Sequence, residues 1–118
     1  MWDRYNIGAQ QAMSQGKHAE AENLFKQALA EAEKEFGPQH NNVATCLNNL
    51  ANCLRFQGRH PEAETNYKRA LEVRQKALGP LHKEEMVILE NYAKLLRSVG
   101  RDGEAKKLED RAMGIMRR

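Results

Sequence analysis

The chain repeats itself every 42 residues. Glycines and alanines recur at this step: Gly16, Gly58 and Gly100, and Ala21, Ala63 and Ala105. A fixed period of this size is typical of stacked repeats, in which each unit buries its apolar face against its neighbours. The period therefore predicts an elongated solenoid. It also indicates a function carried by an extended surface rather than by an enclosed reaction pocket.

Each 42-residue unit has the pattern of two amphipathic helices. In the middle unit Val43, Leu47 and Leu54 fall at three- and four-residue steps, the spacing of one helix face. Gly58 is predicted to end this helix, because glycine tolerates the left-handed backbone of a helix end. Gly79-Pro80 should stop the next helix, since proline cannot continue one. The pattern predicts helices near residues 2–15, 18–36, 42–57, 61–78, 83–99 and 102–116, the last with Asp102 as its N-cap.

Composition narrows the class of protein. The 118 residues suffice for one domain, and 41% hydrophobic with 30% charged residues is ordinary for a helical chain in water. The net charge of +3 permits acidic partners without requiring nucleic acid. No apolar run could span a membrane, and the start of the chain has no signal-peptide pattern. With two cysteines, these features favour a cytoplasmic protein.

The repeat positions resemble the tetratricopeptide repeat. In the middle unit the matching residues are Leu47, Leu50, Ala51, Leu54, Gly58, Ala63, Tyr67 and Ala70. In the third unit Glu109 stands where Phe25 and Tyr67 stand, so its second helix is the weakest match. The 42-residue length and the phrase from Asn48 to Ala51 are similar to the long repeats of kinesin light chains. The resemblance implies an all-α, right-handed solenoid. It would be one domain of three helix–turn–helix units, at about 1–41, 42–83 and 84–118, with six antiparallel helices.

In this family the first helix of each pair lines a concave groove that holds peptide segments. Transferred by position, the groove residues are Asn6, Gln10, Met13, Thr45, Asn48, Asn52, Arg55, Phe56, Val87, Glu90, Lys94 and Arg97. Asn48, Asn52 and Arg55 lie at i, i+4 and i+7, on one helix face that should point away from the leucine stripe. Amides can grip a peptide main chain, and arginine can bind a carboxylate with two parallel hydrogen bonds. Phe56 and Met13 could add apolar contacts.

These residues together predict a protein-binding scaffold for an acidic peptide with an apolar anchor. The alternative interpretation is a solvated polar helix face. The pattern differs from the family's clamp for chaperone C-terminal carboxylates, whose equivalents here are Asn6, Gln10, Asn52, Glu90 and Lys94. Only Asn52 matches that clamp, with Lys94 a partial substitute, and Glu90 would repel a carboxylate.

Residues with catalytic or metal-binding potential do not form a recognisable set. His18 and His60 share one repeat position and His40 and His82 another, which favours turn and packing roles over metal binding. Cys46 and Cys53 should lie about 10 Å apart along one helix, too far for a disulfide, and no zinc spacing is present. No phosphate loop or nucleophile–base arrangement is found. We predict no enzyme activity, metal, cofactor or small-molecule substrate.

Two other interpretations remain open. The last helix carries an apolar stripe at Leu108, Ala112, Ile115 and Met116, which could pack inward, mediate self-association, or have met a fourth repeat of a longer array in a regulatory protein. The basic end could bind an anion: Lys106, Lys107, Arg111, Arg117 and Arg118. Nucleic acid is disfavoured, because such readers are normally more basic and carry interleaved aromatic residues.

Overall fold

Six α-helices make up the computed structural model, which describes residues 1–79 and 82–117. They are α1 (Trp2–Ser14), α2 (His18–Phe36), α3 (Asn41–Phe56), α4 (His60–Leu78), α5 (Glu85–Ser98) and α6 (Asp102–Met116). The predicted helix count is confirmed, and the helix ends differ from those predicted by no more than two residues. Pro80 of the predicted helix stop and Arg118 of the basic end lie outside the described residues. Within the described ranges, no helix is long and apolar enough to cross a membrane.

Consecutive helices pack as pairs: α1 with α2 (unit one), α3 with α4 (unit two) and α5 with α6 (unit three). The same tight turn joins the helices in every unit. In unit two Gly58 has φ of +78°, its N–H donates to the Arg55 carbonyl at 3.0 Å, and the Arg59 N–H donates to the Leu54 carbonyl at 2.9 Å. This pair of bonds is the Schellman motif, which satisfies the free carbonyls of a helix end. The repeating glycine therefore makes each pair antiparallel.

The core lies between the helices and runs through all three units. Repeat alanines such as Ala21, Ala63 and Ala105 are fully buried, as their close-contact role requires. Phe25, Leu47 and other large apolar residues fill the space around them. The two thiols, Cys46 and Cys53, are free and buried, as predicted.

Two helix starts use caps that the sequence did not reveal. Asp102 is not the N-cap of α6: Arg101 holds that position, and Asp102 is the first helical residue, with its carboxylate 3.8 Å from Arg97. The His40 side chain caps α3 by accepting a hydrogen bond from the Asn42 N–H at 3.0 Å. The His82 side chain accepts from the Glu84 N–H at 3.2 Å in the turn before α5, and Glu84 itself is the N-cap of that helix. The predicted turn role of these two histidines is confirmed. Among the described residues, no group of histidines, cysteines and carboxylates is placed to hold a metal ion.

Polar contacts repeat at both junctions between units. Glu22 pairs with Arg59 across the first junction at 2.5 Å, and Glu64 pairs with Arg101 across the second at 2.9 Å. Both partners are shifted by 42 residues from one junction to the next. The units therefore share a register that is set by charge as well as by apolar packing.

These junction carboxylates should make stability depend on acid. Burial by itself would raise the pKa of Glu22, but hydrogen bonds from Lys26 and Gln57 and nearby cations hold it below its ordinary value of 4.5. The hydrogen bond from Arg101 likewise lowers the pKa of Glu64. Because the folded pKa lies below the unfolded one, the stabilisation is present above about pH 4.5. It is lost as the pH falls through the folded value.

We expect a variant with Glu22→Gln and Glu64→Gln to lose less stability than the parent chain between about pH 5 and pH 3. Urea unfolding at the two pH values measures this difference. Equal acid sensitivity of parent and variant would contradict the role given to these two carboxylates.

The last helix turns most of its apolar stripe inward. Ala112 and Ile115 are buried with Leu89 of α5, and Leu108 packs against them. Met116 differs from the rest of the stripe: its side chain is 60% exposed. The nearby Met113 side chain is 44% exposed. Arg111 also leaves the predicted basic patch: it binds the buried carboxylate of Glu85 through two nitrogens, at 3.1 and 3.2 Å.

Candidate peptide-binding face

The first helices of the three units lie side by side. α3 contacts α5, and side-chain amides link α1 to α3 and α3 to α5. The predicted groove residues of α1, α3 and α5 form the surface that we call the first-helix face. Its residues fall in rows of equivalent positions, such as Met13, Arg55 and Arg97.

One row consists of amides that bind between units. The Asn49 side-chain N–H donates to Asn6 at 2.9 Å, and Asn91 donates to Asn48 at 3.4 Å. Asn48 is only 6% exposed, so it is buried and does not lie on an open part of the face. Its partner lies 43 residues away, and this contact turns the side chain toward the junction. Asn6 and Asn48 therefore contribute to the register of the units.

A second row meets the second helices of the same units. The Arg55 side chain donates to the Tyr67 hydroxyl at 3.1 Å, and the Arg97 side chain donates to Glu109 at 2.8 Å. These two pairs are repeat equivalents, so Glu109 replaces an aromatic hydroxyl by a carboxylate. The hydrogen bond with Glu109 raises the pKa of Arg97 and lowers that of Glu109. Arg97 is thus neutralised within its own unit.

Tyr67 lies buried beneath the centre of the first-helix face and holds two of its side chains by hydrogen bonds. Its buried hydroxyl donates to the Asn52 side-chain oxygen while accepting from Arg55. Burial raises the pKa of Tyr67, so the phenol stays neutral. The ring also stacks on Tyr92 of unit three, with centroids 5.7 Å apart. Sequence reasoning placed Tyr67 in the repeat pattern but missed that it positions both Asn52 and Arg55.

Phe56 is the aromatic residue of the predicted set, and its side chain is 60% exposed. Its ring stacks on His18 with centroids 6.1 Å apart, and the Arg55 guanidinium carbon lies 4.9 Å from its centre. His18 in turn contacts the Met13 sulfur at 3.4 Å. The group presents an apolar ring beside a cation, an arrangement that suits aromatic or aliphatic contacts next to a negative charge.

The remaining predicted residues differ in their exposure and in their ion pairing. Gln10 and Lys94 are exposed, and so is Val87 at the edge of α5. Arg55 and Lys94 make no ion pair within the part of the chain that the structure describes. By contrast, several arginines are paired with carboxylates there: Arg59, Arg69, Arg97, Arg101 and Arg111. The positive charge of the face is therefore available mainly at Arg55 and Lys94.

The thiols below the face are chemically quiet. Burial raises the pKa of Cys46 to about 12, and it also raises that of Cys53. Cys53 donates to the His18 carbonyl at 3.3 Å. Because the thiolate is the reactive form, neither side chain is placed to act as a nucleophile.

Paired helices, repeating glycine turns and equivalent junction contacts define an all-α solenoid of helix–turn–helix units. The profile of the tetratricopeptide repeat matches residues 5–74 and 47–118. The chain therefore belongs to the tetratricopeptide repeat family. A search of curated protein sequences gives no significant match.

Solved structures show the same architecture. The crystal structure of BtubC (BKLC) from P. vanneervenii has a TM-score of 0.89 and 24% identity, over 97% of this chain and 45% of that one. Nearly identical TPR-like repeats of a protein described as a kinesin light chain, from Podospora anserina, give 0.86 and 20%, over 98% and 55%. The predicted resemblance to kinesin-light-chain-type repeats is confirmed. At these identities the likeness shows the fold alone, and the chain spans about half the length of these structures.

Proposed function

We propose that the chain is a protein-interaction scaffold whose first-helix face binds an acidic peptide segment with an apolar anchor. Tetratricopeptide repeats generally mediate protein–protein interaction. The finer assignment is carried by one observation: Arg55 and Lys94 make no ion pair among the described residues, although most other arginines of the array do. A carboxylate of a partner would complete them.

The apolar part of the ligand is inferred from Phe56. Its exposed ring lies against the Arg55 guanidinium, so an apolar side chain on the ring would bring a neighbouring carboxylate to the arginine. Lys94 is the repeat equivalent of Asn52, one helical turn before the Arg55 row, and offers a second positive charge on the next helix. An acidic residue on each side of an apolar one fits this order of groups.

The test is binding of purified protein to a peptide array of acidic and neutral segments, each with and without an aromatic residue. We expect acidic segments with an aromatic residue to bind best. The double variant Arg55→Glu with Lys94→Glu should bind these segments at least tenfold more weakly, a loss of about 1.4 kcal/mol, because two attractive charges become repulsive. Fluorescence anisotropy of the best segment gives the dissociation constants.

The matched control is Lys34→Glu with Lys76→Glu, which makes the same change of net charge at repeat-equivalent, exposed positions of α2 and α4. The dissociation constant of this control should lie within about twofold of that of the parent chain, because salt screens surface charges that are far from the binding site. Equal loss in both double variants would show a net-charge effect, and unchanged binding in the Arg55 and Lys94 variant would exclude this face.

A further inference from the structure

Unit three ends in an exposed apolar surface, which we call the end face. A shallow cleft of about 200 Å³ lies there between α5 and α6. Its lining residues are Met86, Glu90, Glu109, Ala112, Met113 and Met116. Three of the six are methionines, whose flexible side chains adapt to the shape of a partner.

The end face occupies the repeat positions by which one unit holds the next. Its equivalents in unit two are Ala44, Asn48, Tyr67, Ala70, Leu71 and Arg74. There Tyr67 stacks on Tyr92 of unit three, and Arg74 donates to the Glu84 carbonyl at 3.0 Å. Arg74 is 5% exposed beside unit three, whereas its equivalent at the end, Met116, is 60% exposed. The end face therefore continues an interface that exists twice inside the molecule.

Charge at the end face breaks the internal pattern, however. Lys106 stands where Glu22 and Glu64 bind arginines of the following unit, and Glu90 stands where Asn6 and Asn48 accept from asparagines. A second copy stacked head to tail would bring its Lys17 to Lys106 and its Ile7 to Glu90. Like charges and a desolvated carboxylate both oppose such a contact. The surface pair of Lys106 with Asp110 is exposed and weak, so it leaves the ammonium available.

We propose that the end face docks an amphipathic helix of a separate polypeptide, in the place that α5 takes against unit two. This helix lays apolar residues on Met113 and Met116 and turns a carboxylate toward Lys106. It faces Glu90 with an amide or a cation. The end face shares Glu90 with the edge of the first-helix face but contains neither Arg55 nor Lys94, so its test is separate from that of the peptide-binding function.

The probes are two synthetic peptides of residues 83–99 of this chain, which contain α5. In one Tyr92 is replaced by glutamate and in the other by lysine. The Tyr92 hydroxyl meets Glu64 at 2.6 Å in the second junction, so the new charge would meet Lys106 at the end face. A side-chain lactam on the outer face holds each peptide helical, because isolated helices of this length are marginal in water.

We expect the glutamate probe to bind the intact chain at least tenfold more tightly than the lysine probe. Lys106→Glu should reverse that order. Met116→Asp should weaken binding of the glutamate probe, while Ile7→Asp, an equally exposed apolar position of α1, should not. Isothermal titration gives the affinities, and light scattering follows self-association.

Three outcomes would overturn the proposal. Neither probe binds; or Lys106→Glu leaves the order of the two probes unchanged; or the chain dimerises and Met116→Asp abolishes the dimer. The last outcome would make a second copy the occupant of the end face.

Discussion

Replacing Tyr67 by alanine is expected to lower the free energy of unfolding by about 3–5 kcal/mol, the cost of truncating a buried aromatic side chain. The ring is fully buried and stacks on Tyr92, so its loss leaves a cavity at the second junction. The hydroxyl also joins Asn52 and Arg55, and both would lose a hydrogen-bond partner. Urea unfolding followed by circular dichroism measures the change.

Tyr67→Phe separates the two contributions. It keeps the ring and removes the hydroxyl, so it should cost about 1–3 kcal/mol, the range for leaving buried polar groups unpaired. Because Asn52 and Arg55 belong to the first-helix face, this variant should also bind acidic peptides more weakly, although its core stays packed. A near-neutral Tyr67→Ala would contradict the place of the ring in the junction.

Replacing Arg111 by alanine is expected to cost about 3 kcal/mol, the lower end of the range for stranding a buried charge. Glu85 is 1% exposed, and Arg111 holds both of its carboxylate oxygens from α6. Gln75 also donates to Glu85 from α4, so the carboxylate ties three helices together. Since Arg111 itself is partly exposed, the loss should not reach the upper end of the range.

Lys107→Ala is the control, as an exposed neighbour on the same helix that should change stability by no more than about 0.5 kcal/mol. A double variant, Glu85→Met with Arg111→Met, should recover much of the lost stability, because apolar residues can replace a buried ion pair. If Arg111→Ala and Lys107→Ala have equal effects, the buried ion pair does not stabilise the packing of α6 on α5.

The fold was largely predictable because its determinants are local and periodic. Gly58 and its equivalents mark the turn in every unit, and the apolar spacing marks the buried helix faces. Any one of these signals is weak, but each recurs two or three times in register. The alanines that let the helices approach were visible for the same reason.

The site was predictable only in part, because the orientation of a polar side chain depends on partners distant in sequence. Nothing near Asn48 shows that it meets Asn91, and nothing near Arg97 shows that it meets Glu109. Arg111 resembled a member of a basic patch because the burial of Glu85 has no local signature. The cap prediction at α6 was wrong for a smaller reason: the helix starts one residue earlier than expected, at Asp102, so that Arg101 holds the cap position.

The register contacts at the two junctions join residues no more than 43 positions apart, and the main helix–helix contacts in the described ranges join nearest or next-nearest neighbours. Because these contacts join residues close in sequence, the chain has a low contact order and should fold quickly. Each folded unit provides the surface on which the next unit packs. The same pattern of contacts also limits how far along the chain a substitution can change the structure. A substitution at the first junction alters that junction without directly contacting unit three, so the first junction and the end face can diverge in sequence independently of each other.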